Sequence, residues 1–101
     1  MFRMQYHFET PDDAQHDEMQ AATVEASRIM QVQGLEAPTV LMSHDENPRR
    51  LVIEFTGKDQ WECEAKQQAG QRVPEISEIL ATVFKRRLSR VEVYEVLTLD
   101  D

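Results

Sequence analysis

The sequence predicts one α+β domain with the element order β-α-β-β-α-β. Three observations predict it. Residues 2 to 9 alternate apolar and polar with a period of two; apolar residues recur at spacings of three and four from Met19 to Met30 and again from Ile76 to Leu88; and two β-branched, apolar runs, Thr39 to Ser43 and Leu51 to Thr56, flank a cluster of turn formers. A chain of 101 residues fits a single domain spanning residues 1 to 101. A domain of that size buries roughly two thirds of its unfolded surface, enough for one core without metal or disulfide staples.

In the first strand Phe2, Met4, Tyr6 and Phe8 share one face, and Arg3, Gln5, His7 and Glu9 share the other. Thr10-Pro11-Asp12-Asp13 follows, read as an N-cap hydroxyl, a proline at the first helical position and acids in the first turn. Met19, Ala22, Ala26, Ile29 and Met30 form the apolar stripe of the helix. His16, among Gln15, Asp17 and Glu18, reads as surface. Gly34 stands where a left-handed cap closes a helix, Leu35 can cover the last turn, and Pro38 stops continuation.

The hairpin that comes next turns through His44-Asp45-Glu46-Asn47-Pro48. After Gly57, Asp59 and Glu62 stand three apart, as acids at the N-cap and third positions do, so a second helix begins here. Trp61, Cys63 and Ala65 also alternate with Glu62, Glu64 and Lys66, which leaves an extra strand as the alternative; the helix formers from Glu62 to Ala69 favour helix. Gly70 and Pro74 interrupt it near residues 70 to 73, and a firmer stripe of Ile76, Ile79, Leu80, Val83, Phe84 and Leu88 resumes. A last strand is expected from Arg90 to Leu99, with Val91, Val93, Leu97 and Leu99 on one face.

This order is the split βαβ, ferredoxin-like arrangement: a four-stranded antiparallel sheet with both helices on one face. Its other face carries Arg3, Gln5, His7, Leu41, Val52, Glu54, Tyr94 and Val96, depending on register, a set too mixed for a core and too apolar for open water. A partner sheet or a ligand is the expected cover.

Composition narrows the function classes. The net charge of -8 repels phosphate backbones and argues against a nucleic-acid partner. The cations Lys85, Arg86, Arg87 and Arg90 fall where a helix ends, which suits its dipole. No apolar run approaches the roughly 18 residues of a membrane span, and nothing resembles a signal peptide, so no membrane partner and a cytoplasmic location are expected. The lone Cys63 permits neither a disulfide framework nor a cysteine-based zinc site, and its neighbours Glu62 and Glu64 do not favour a reactive thiolate.

The stretches Leu51-Val52-Ile53-Glu54-Phe55-Thr56 and Lys58-Asp59-Gln60-Trp61-Glu62, the helix to Leu88, and Val91-Glu92-Val93-Tyr94-Glu95-Val96 together resemble the dimeric α/β-barrel superfamily. Antibiotic-biosynthesis monooxygenases and stress-responsive barrel proteins are among its members. The resemblance spans nearly the whole chain in length and element order, without an invariant catalytic motif. It implies a homodimer in which two sheets meet through their open faces. Its enzymes are similar in using an asparagine, a tryptophan and a basic or histidine side chain. Here the only asparagine, Asn47, falls in the hairpin turn, Trp61 reads as a packing residue, and helix two has no histidine for haem iron. No cofactor is therefore expected.

His7, Glu54 and Tyr94 are the candidate catalytic residues. An imidazole beside a carboxylate such as Glu54 can act as a general base near neutral pH, and Tyr94 can hydrogen-bond a substrate oxygen. The competing reading of His7 is an interfacial histidine satisfied across a dimer. His44-Asp45-Glu46 offers metal-ligand types, but neighbours in a tight turn do not converge on one ion, so no metal is expected. Two functions follow: a dimeric barrel binding a small, largely apolar organic molecule, either as a monooxygenase-like enzyme or as a binding protein with the fold alone, or an acidic interaction or inhibitor protein that presents Asp12, Asp13, Asp17, Glu18, Asp45 and Glu46 to a basic partner.

Overall fold

A computed structural model describes residues 1–10, 12–43, 49–84 and 87–97. The strands are β1 (Phe2–Thr10), β2 (Thr39–Met42), β3 (Arg49–Gly57) and β4 (Leu88–Glu95); the helices are α1 (Asp13–Val32), α2 (Gln60–Gln71) and α3 (Pro74–Ile79), the last running into a π-helical turn over Leu80–Phe84. The four strands form one antiparallel sheet in the order β2-β3-β1-β4. This is the ferredoxin-like α+β fold. Trp61 to Lys66 is helix, as the helix formers indicated.

The alternation of β1 separates two environments. Met4, with Phe55 of β3, packs against Met30 of α1, Cys63 of α2 and Ile76 of α3, while Phe8 and Leu51 pack against Met19 and Phe84. Tyr6, Ile53 and Leu80 touch both clusters and join them into one core. Aromatic edges meet faces at Tyr6–Phe55 and Phe8–Phe84, with ring centroids 6.2 and 5.0 Å apart.

Helix ends follow the local signals, with one displacement. Leu35 N–H donates to Met30 O at 2.8 Å and Gly34 N–H to Gln31 O at 3.0 Å, the paired bonds of a Schellman cap, and Gly34 takes the φ of +75° that this cap requires. Asp59 caps α2 by accepting from Glu62 N at 2.8 Å. At the start of α1 the N-cap is Asp12, which accepts from Gln15 N at 2.7 Å, and not Thr10. Thr10 is still in β1; its hydroxyl donates to Arg49 O at 3.1 Å and accepts from His16 Nδ1 at 2.8 Å. Pro11 lies outside the described residues.

Three further expectations need correction. His16 is buried, not on the surface, because it sits one turn before Met19 on the stripe that continues to Thr23 and Met30, and Thr10 supplies its hydrogen bond. Leu88 belongs to β4 and not to the preceding helix. β4 therefore starts two residues earlier than Arg90 and ends at Glu95; residues 98–101 lie outside the described set. A register irregularity between His7 and Phe8 lets β4 enter the sheet at Leu88, with Ser89 Oγ donating to His7 O at 3.1 Å.

Close approach explains Gly57. A Cβ there would lie 2.9 Å from Glu62 Cβ and 3.0 Å from Cys63 N, so the tight β3–α2 connection excludes a side chain. Leu51, fully buried at the centre of the second cluster, is the most direct test of the core. Leu51→Ala is expected to lower unfolding free energy by about 2–5 kcal/mol, read by urea denaturation, through lost burial and the cavity left behind.

Candidate functional site

The sheet face turned away from the helices carries a continuous hydrogen-bonded group. Register places Gln5 between Glu54 of β3 and Glu92 of β4, and places His7 between Val52 and Arg90. Because β1 is central, its outward side chains reach both neighbouring strands. Gln5 Nε2 donates to Glu54 Oε2 at 2.8 Å, and Gln5 Oε1 lies 3.1 Å from His7 Nε2. With the Gln5 amide nitrogen donating to Glu54, the Gln5 carbonyl oxygen is the atom that faces His7, and since it can only accept, His7 Nε2 is the donor there. His7 Nε2 also lies 3.5 Å from Glu92 Oε2. Tyr94 donates its hydroxyl proton to Glu92, and Arg90 pairs with the same carboxylate.

The three residues singled out from sequence, His7, Glu54 and Tyr94, thus share one face but do not touch one another directly. Gln5 stands between Glu54 and His7, and Glu92 stands between His7 and Tyr94. The carboxylate beside the imidazole is Glu92, and Glu54 acts one residue removed. His7 and Glu54 are buried, at 5% and 7% exposure, whereas Tyr94 is 47% exposed. The alternation of β4 already put Glu92 on the face of Tyr94, and that of β1 put Gln5 on the face of His7; the cross-strand register that joins them is not a property of either segment.

Electrostatics follow the same connections. The Tyr94 hydrogen bond, with help from Arg90 and His7, holds the Glu92 carboxyl below the usual carboxylate range, and the same bond pushes the Tyr94 phenol up. Arg3, Arg50 and Arg90 balance Glu9, Glu54 and Glu92 on this face, so the chain's net charge of -8 is carried elsewhere. Leu41 and Val52 add an apolar patch on paired strands.

A concavity lies between the sheet and the helices. It is a cavity of about 90 Å³ walled by Phe8, Met30, Phe55, Ile76 and Phe84, and no charged side chain lines it. Pockets for small molecules typically run from about 300 Å³ upward. Trp61, expected to pack, is instead 79% exposed on α2 and lines neither place. Asn47 and the His44-Asp45-Glu46 turn lie outside the described residues. Among the described residues no group of three His, Cys, Asp or Glu side chains could hold a metal ion, and no helix is long and apolar enough to cross a membrane. Cys63 is buried with its Sγ 3.5 Å from Phe2 O, and burial pushes its thiol up.

Solved structures share this architecture. A NIPSNAP-like domain protein from Burkholderia xenovorans superposes with a TM-score of 0.68 at 10% identity, over 99% of this chain and 89% of that one. A protein from Nitrosomonas europaea, provisionally assigned as an antibiotic biosynthesis monooxygenase, gives 0.65 at 17% identity over 97% and 100%. One from Deinococcus radiodurans with the same provisional assignment gives 0.60 at 10% over 100% and 97%. The chain has their fold. No protein-family profile and no curated protein matches it. The ferredoxin-like fold of NIPSNAP-like and antibiotic-biosynthesis-monooxygenase-like proteins is therefore established for this chain, at identities that carry the fold alone.

The Glu92–Tyr94 pair yields a pH prediction. A lowered carboxyl contributes stability that is present above the usual carboxylate range and is lost as pH falls through its lowered value. Tyr94→Phe should raise the Glu92 pKa part of the way back, since Arg90 and His7 remain, and NMR titration of the Glu92 side chain reads it. An unchanged Glu92 titration would remove Tyr94 as the principal cause.

Proposed function

We propose that this protein is a cytoplasmic homodimer in which two sheets pair through their open faces, and that it binds a small organic molecule there, with His7, Glu54 and Tyr94 in the binding and reaction site. The observation that carries this reading is the open face itself: charge-balanced within an acidic chain, with Leu41 and Val52 as an apolar patch, and holding a polar group that spans three strands. Two copies of charge -8 repel each other at long range, so a self-docking surface has to be locally neutral with both signs interspersed. This face meets that condition. The neighbours named as antibiotic biosynthesis monooxygenases support a small-molecule role of the same general kind.

The space between two such sheets suits a ligand better than the cavity beneath the helices, which at about 90 Å³ is smaller than the 150 Å³ or so of an apolar cavity that accommodates benzene. In the reaction form of this proposal His7 is the general base, oriented through Gln5 and Glu92, and Tyr94 is the residue that meets the ligand. The rival function, an acidic protein docking on a basic partner, has less support. Of its acids, Asp12 caps α1, Asp13 pairs with Arg49 at 3.1 Å, and Glu18 lies 3.7 Å from Arg87.

Light scattering at micromolar concentration tests the assembly, with a dimer expected. Leu41 is 44% exposed on the open face, so Leu41→Lys should leave the far-ultraviolet circular dichroism spectrum of the folded chain unchanged while shifting the protein to monomer. A wild-type protein that stays monomeric at these concentrations would overturn the sheet-face dimer.

A further inference from the structure

Glu92 receives every proton that the surrounding side chains direct at it. Tyr94 Oη donates to Oε2, Arg90 Nε faces Oε1, and His7 Nε2, already committed to Gln5 Oε1 at 3.1 Å, stands 3.5 Å from Oε2. A phenol has one proton to give and two lone pairs to receive with. Once that proton is held by Glu92, Tyr94 can meet a ligand only as an acceptor. Tyr94 is also the half-exposed member of the group, whereas His7 and Glu54 are buried.

We infer that Glu92, by holding the Tyr94 proton, makes Tyr94 a specificity-determining acceptor, so that the ligand of this face presents a hydroxyl or N–H group beside an uncharged apolar body. The inference rests on the reading of the open face as the ligand-binding face and adds the polarity of the ligand to it. It reverses the simplest expectation for this tyrosine, donation to a substrate oxygen. A carbonyl or ether arriving at Tyr94 would find a second acceptor and no proton, and acceptors left facing each other out of water are penalised. The apolar part of the class follows from Val52 and Leu41, which lie on the same face two and three strands across from Tyr94, and the lack of net charge follows from the balance of Arg3, Arg50 and Arg90 against Glu9, Glu54 and Glu92.

In benzyl methyl ether a methyl group replaces the hydroxyl proton of benzyl alcohol, so the two are suitable probes for the full chain. Binding is followed by shifts of backbone amides in β1 and β4. The alcohol is expected to bind about tenfold more tightly than the ether, and the ratio should fall toward one in Tyr94→Phe. In Glu92→Gln the amide can donate to Tyr94 Oη and release the phenol proton, so the preference for the alcohol should also shrink. Independently of any probe, the Tyr94 phenol should titrate closer to its ordinary value in Glu92→Gln than in the wild type. Equal binding of the two probes to the wild type, or a Tyr94 titration indifferent to Glu92→Gln, overturns the inference and leaves the ligand-binding face standing. Failure of both probes to shift β1 and β4 amides at millimolar concentration overturns the ligand-binding face as well.

Discussion

The period-two alternation of β1 is the constraint on which the rest of the molecule depends. As the central strand it sends Phe2, Met4, Tyr6 and Phe8 toward the helices and Arg3, Gln5, His7 and Glu9 away from them. A slip of one residue would exchange the two sets, burying an arginine and a glutamate under α1 while exposing two phenylalanines. The hydrophobic cost of that exchange anchors the register of β3 and β4 against β1. That register in turn brings Glu54 to Gln5 and Glu92 to His7. Core packing on one side of the sheet therefore positions polar chemistry on the other.

The helix layer covers the two central strands more than the edges. Met19, Met30, Cys63, Ile76 and Phe84 all pack over β1 and β3, while Val91 and Val93 of β4 remain substantially exposed although they share the helix-side face with Met4 and Tyr6. The edge strand that carries Arg90, Glu92 and Tyr94 on its open side thus leaves apolar surface exposed on its helix side. Its place in the sheet rests on backbone pairing with β1 and on the Ser89 and Val96 bonds at its two ends, the latter donating to Met1 O at 2.8 Å. Such a strand is held less by burial than its neighbours are. It is also the one that bears the exposed part of the candidate site.

Local signals were legible where the physics is local. The Schellman cap at Gly34, the Asp59 cap and the break between α2 and α3 depend on a few consecutive residues, and each stands where the sequence indicated. Errors arose where a tertiary partner outvoted a local preference. Thr10 is a good N-cap in isolation, but Arg49 O and His16 engage its hydroxyl, so Asp12 caps the helix. His16 has charged neighbours in sequence and a buried stripe in space. Leu88 fits the helical stripe by spacing, yet it pairs with Phe8 and belongs to the sheet. Trp61 has a large apolar area to bury, and no element among the described residues covers it.

By itself the sequence determined the fold class, the order of the elements and the two faces of β1, because hydrophobic periodicity and capping chemistry act over a few residues at a time. It also offered His7, Glu54 and Tyr94 as candidates for one face, depending on strand register. Only the tertiary structure decided how they are connected: Gln5 joins His7 to Glu54, and Glu92 joins His7 to Tyr94, with Gln5 and Glu54 lying 49 residues apart in the chain. Hydrogen-bond partnership is a matter of ångströms and direction, and strand register sets both. For the same reason the proton on Tyr94, and with it the polarity of the face toward any ligand, is decided by a cross-strand network that no stretch of sequence contains.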